Sequence, residues 1–131
     1  MATYISTSDI TDDIINDFGN TIVSAKVELS DDAVESMALS KGVSSGDIET
    51  DPVNYLVREW AIAWVCFRIC RDYLGKNNLE SFDQDKYAVK GKIYFEEMAD
   101  LDGRITKEVL RGTVNSARDM SGGMTATIYR G

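Results

Sequence analysis

The chain has 131 residues, enough for one domain with a real core, and its composition is that of an ordinary soluble protein, neither disordered nor fibrous. Twenty-two acidic residues against fourteen basic ones give a net charge of −8, which argues against a basic footprint for duplex DNA or anionic membranes. The absence of histidine removes Ser–His and Cys–His nucleophile pairs and histidine metal sites.

The first residues, with the β-prone stretch TYIST, lead to Ser8, which suits a helix N-cap with Asp9, Asp12 and Asp13 at the positive end. Ile10, Ile14, Ile15 and Phe18 give this helix an apolar side, and Gly19 ends it. Residues 20–29 fit a helix or a strand, and periodicity does not choose between them. Ser30 suits a second N-cap for a helix packed through Ala33, Val34, Met37 and Ala38 and closed by Gly42. The Ser and Gly content of Val43–Thr50 predicts a loop. The chain begins with Met followed by polar residues, so no secretory signal is expected.

The stretch DPVNYLVREWAIAWVCFRICRDYLG organises the rest. Asp51 as N-cap, Pro52 at the first helical position and Gly75 as terminator predict a central helix of about 22 residues, roughly 33 Å long. Leu56, Trp60, Ala63, Trp64, Phe67, Cys70 and Leu74 share one face, and Val57, Ala61, Val65 and Ile69 form a second apolar stripe. Charges at Arg58, Glu59, Arg68, Arg71 and Asp72 break the run, which argues against a membrane span. On this reading Trp64→Ala removes about 3–5 kcal/mol.

Ser81 with Gln84 matches a capping box and opens a second long helix to about Leu101. Tyr87, Gly91, Tyr94, Met98 and Leu101 form its packing stripe, with Gly91 implying the close approach of another backbone. A short connection makes the two long helices antiparallel. Asp102 and Gly103 break the pattern, and Thr106 caps a last short helix ended by Gly112. Beyond it, TVNSARDMSGGM has nothing to bury, yet the strand-prone Thr125, Ala126, Thr127, Ile128 and Tyr129 follow. A lone strand needs a partner sheet, disorder, or a return to Tyr4 and Ile5. The expected class is therefore mainly α: a small bundle over residues 1–112 around two long antiparallel helices. Residues 113–131 are expected to form an extended arm ending in a β-strand. The core is expected at Leu56, Trp60, Trp64, Phe67, Tyr87, Tyr94 and Met98.

Candidate chemistry is sparse. Cys66 and Cys70, at i and i+4, are poorly aimed for a disulfide and read as packed, reduced thiols of a cytosolic protein. Glu96, Glu97, Asp100 and Asp102 read as a solvated face rather than an acid–base pair, and Asp83 and Asp85 as first-turn acids. Asp47, Glu49 and Asp51 alternate like calcium ligands but lack the EF-hand glycine and terminal glutamate. No phosphate-binding glycine loop is present. No enzyme activity, metal or cofactor is therefore expected. Arg58, Arg68 and Arg71 ride either an exposed edge with packed stems or a subunit interface, where Arg is favoured, and Arg68 has Asp72 at i+4.

The opening YISTSDITDDI, the run W-A-x-x-W-V-x-x-R-I-C-x-D-x-x-G at 60–75, and the later D-K-Y-x-V-K…Y…M-x-x-L-x-x-x-I-T resemble the head–tail connector (adaptor) proteins of tailed bacteriophages, over Thr3 to about Leu110. The resemblance implies a structural virion protein of the neck region, present in the host cytoplasm during assembly. It also implies a homo-oligomeric ring, a dodecamer, between the portal protein and a stopper or tail-completion protein. It implies a C-terminal arm that adds a strand to the portal, here Thr125–Tyr129 hinged at Gly122 and Gly123. DNA would pass through such a ring without specific binding, and outward acidic side chains would keep the passage slippery. Another reading of the charge is a small acidic helical phage-encoded protein that regulates or inhibits a host protein.

Overall fold

The structure, a computed structural model, describes residues 2–76 and 81–112, with the side chains of 73–76 and 81–86 outside that description. The arm at 113–131, with Gly122, Gly123 and Thr125–Tyr129, lies outside the described residues. Within them the chain is mainly helical: α1 Asp13–Asn16, α2 Asn20–Ser40, α3 Tyr55–Lys76, α4 Ser81–Arg104 and α5 Lys107–Arg111, with 3-10 turns at Thr7–Asp9 and Ser45–Asp47. Helix α3 is the hub, packed chiefly against α4 and then against α2.

Residues 20–29 are helical. They begin α2, which continues through Ser30 without a break. Ser30 is not a cap: it is fully buried and its hydroxyl donates to the Val27 carbonyl at 2.6 Å, one turn back. Val23, Val27, Val34, Met37 and Ala38 recur at helical spacing and are buried beside it. Gly42, at φ +86°, closes the helix as expected. The first expected helix breaks in two. Asp12, rather than Ser8, caps α1, accepting the Ile14 and Ile15 amides at 2.8 and 3.3 Å.

Helix α3 starts later than Asp51–Pro52, whose peptide bond is cis. Residues 50–53 form a tight turn closed by a bridge between Thr50 and Val53. Asn54 then caps the helix by accepting the Leu56 amide at 2.8 Å. At the far end α3 runs through Gly75 to Lys76. Tyr4 and Ile5, in the stretch read as β-prone, are buried extended residues in no sheet; Asp31 on α2 accepts the Thr3 amide at 2.9 Å.

Helices α3 and α4 are antiparallel. Cys70 lies against Gly91, the Cys66 thiol meets Tyr94, and Phe67 packs on Phe95 with ring centres 5.4 Å apart. A Cβ placed on Gly91 would stand 3.4 Å from the Cβ of Cys70, so the close approach expected from this glycine is present. Tyr87, Tyr94 and Met98 pack against the core, and Leu101 is buried. Asp102 and Gly103 do not end α4, which reaches Arg104. Thr106 caps α5 through the Val109 amide at 3.2 Å, and Gly112 ends it at φ +85°.

The weight of the core shifts around α3. Trp60 is buried, but Leu56, Trp64 and Phe67 are only half-buried. The most enclosed positions are Val57, Ala61, Val65 and Ile69 of the second stripe, with Cys66 and Cys70. The reason is that α3 is flanked: α2 approaches the Ile69 side and α4 the Cys66–Cys70 side. The Trp64 side lies between them.

Candidate functional site

Three features stand out from the packed core: a buried carboxylate node, the arginines of α3, and two uncovered apolar faces. The node forms where the N-cap of α1 meets the α3–α4 pair. One Asp12 oxygen accepts the Ile14 and Ile15 amides. The other accepts Lys90 Nζ at 2.8 Å and the Tyr94 hydroxyl. These four donors match the roughly four lone-pair sites of a carboxylate, leaving none for a substrate proton. Burial by itself would raise the Asp12 pKa, but the Lys90, Tyr94 and Ile15 hydrogen bonds and the Lys90 charge outweigh it and hold the carboxyl below its usual range.

Around the node the other groups are held in their neutral or paired forms. The hydrogen bond to Asp12 raises Lys90. Burial, followed by the Asp12 bond, raises Tyr94. Burial pushes the Cys66 thiol up to about 12 and Cys70 to about 11, so both are thiols at neutral pH and poor nucleophiles. The node is therefore a staple that ties the first nineteen residues to the long helices. Sequence reasoning missed it because Asp12 meets partners 78 and 82 positions away. One signal was available: Lys90 is a charge inside the otherwise inward stripe of Tyr87, Gly91 and Tyr94.

The three arginines do not form one edge. At 100° per residue, Arg58 and Arg71 lie about 140° apart around α3. Arg58 is exposed, with its guanidinium 5.8 Å from the centre of the Tyr55 ring. Arg68 is half-buried, lies 5.4 Å over Trp64, and its Nε is enclosed without a hydrogen bond. Arg71 is exposed. Asp72, the expected i+4 partner of Arg68, is engaged by Lys26 of α2.

The apolar faces flank α3. A groove of about 220 Å³ between α2 and α3 is lined by Phe18, Ile22, Ala25, Leu29 and Ile69, with the Lys26–Asp72 pair among them. On α4, Val89 and Ile93 stand outward, 58 % and 52 % exposed. Neither face was expected from the sequence, where both sets read as ordinary helix residues.

Among the described residues no cluster of three or more His, Cys, Asp or Glu side chains is placed to hold a metal ion, and no helix is long and apolar enough to cross a membrane. Comparison with known proteins yields no matching family model, no matching curated protein and no matching solved structure.

Proposed function

We propose that this chain is a head–tail adaptor subunit of a tailed bacteriophage, forming a ring between the portal and the stopper or tail-completion protein through which DNA passes. The observation that carries the reading is the motif series from Thr3 to about Leu110. Its central run, residues 60–75, falls on the single hub helix α3, and its later Tyr, Met and Leu positions (Tyr94, Met98, Leu101) fall on the packed side of α4. A helical bundle with large apolar side chains left uncovered on two helices also suits a subunit that completes itself by assembly. Thr125–Tyr129 would dock on the portal by strand addition, with Gly122 and Gly123 as hinge. The net charge of −8 also suits the other reading, a regulator that binds a host protein.

Electron microscopy of the protein mixed with portal separates the two. A ring at the narrow end of the portal is expected; a protein that stays small and ignores the portal overturns the adaptor reading. Deleting Gly123–Gly131 should abolish portal binding, and unchanged binding would remove the role given to the arm.

A further inference from the structure

We propose that copies of this chain join head to tail, with the Val89–Ile93 ridge of α4 on one copy seated in the α2–α3 groove of the next. This rests on the ring reading above and assigns the faces that would build it.

Val89 and Ile93 are one helical turn apart, so their side chains stack into a single convex ridge. Ile22 and Leu29, 47 % and 50 % exposed, form one wall of a concave groove whose floor is Ile69. Groove and ridge belong to helices that pack on different sides of α3, so one copy does not cover its own groove with its own ridge. A two-fold contact would set ridge on ridge or groove on groove. Pairing unlike faces satisfies both, and the rotation between copies then decides whether a ring closes.

The charges agree with this pairing. Lys92 and Glu96, one turn apart, flank Ile93 on the exposed side of α4. The groove holds Lys26 and Asp72 side by side, at 18 % and 32 % exposure. With the ridge seated, Lys92 meets Asp72 and Glu96 meets Lys26. Exposed Asp17 and Asp32, on either side of the groove residues in the chain, add negative charge for Lys92. For a molecule of net charge −8, contact between two copies is opposed everywhere except where unlike charges face each other.

Disulfide trapping tests the assignment without needing a tight complex. A chain carrying Ile93→Cys is mixed with a tagged chain carrying Ile22→Cys at high concentration under mild oxidation. The native Cys66 and Cys70 are buried and do not compete. Both substitutions are at exposed positions, and circular dichroism confirms that each variant is folded. The mixed disulfide is expected to exceed either homodimer by about tenfold, the ratio given by one decade of contact preference. A random mixture, dominant homodimers or no cross-link overturns the proposal. A third chain, Arg71→Cys, distinguishes the failures. If it cross-links while the other two do not, the faces are wrong but the copies still associate, and the portal micrographs then decide the ring reading independently.

Discussion

Asp12 does four jobs with two oxygens, and each is a hydrogen bond that forms only when the chain is folded. Replacing it with Ala leaves Lys90 and Tyr94 without their acceptor and uncaps α1. Each such loss is worth about 1–3 kcal/mol and they overlap, so Asp12→Ala is expected to lower stability by about 2–4 kcal/mol in urea denaturation. The pH dependence follows from the sign of the shift. The folded carboxyl titrates below its unfolded value, so its contribution is fully present above the ordinary carboxylate range and fades as pH falls through the folded pKa. The gap between the native chain and Asp12→Asn should therefore be constant from neutral pH down to the carboxylate range and shrink below it. A gap that widens on acidification would mean that Asp12 is not the ionised member of the node.

The two tryptophans give a second residue-scale test. Trp60 is 7 % exposed, whereas Trp64 is half-buried under the Arg68 guanidinium. Trp60→Ala is expected to lose about 3–5 kcal/mol, and Trp64→Ala about half that because less area leaves water on folding. The sequence gave both residues one face and one weight. It could not rank them, because the ranking depends on where α2 and α4 sit.

At the scale of elements, helix ends with a specific side-chain device were legible. Thr106, Gly112 and Gly42 act where the sequence placed them, since a cap is a local interaction between neighbours. Ser30 misled for a physical reason: the residue types that cap helices also bond back to the preceding turn when buried. Asp51–Pro52 misled in the same way, since Asn54 offered a better cap three residues later. The stripe on α4 was legible because periodicity reports burial directly. Its glycine makes a prediction for the α3–α4 contact. Gly91→Ala places a methyl at ordinary contact distance from Cys70 while gaining helix propensity, so stability should hold or rise by up to about 1 kcal/mol. Gly91→Leu has to push the helices apart and should lose about 1–3 kcal/mol. Thermal unfolding of the pair checks this, and equal effects would show that α4 is not seated at Cys70.

For the molecule as a whole, the helical class followed from composition and periodicity, while the faces left uncovered did not. Val89, Ile93, Ile22 and Leu29 are exposed only because of which helices became neighbours, and that is a property of packing rather than of any one segment. The same balance of surface and charge predicts how copies respond to salt. Net charge −8 makes copies repel over about 30 Å at 0.01 M salt but only about 10 Å at 0.1 M. The ridge and groove contact is mainly apolar and is not screened, while its rim pairs are exposed and worth about 0–1 kcal/mol each. Repulsion between whole copies should therefore outweigh the loss of the rim pairs, and association should tighten as salt rises from 0.01 to 0.1 M. Sedimentation at a series of protein concentrations measures it. If association weakens over that range, ion pairs rather than the Val89–Ile93 ridge hold the copies together, and the arginines of α3 return as the first place to look.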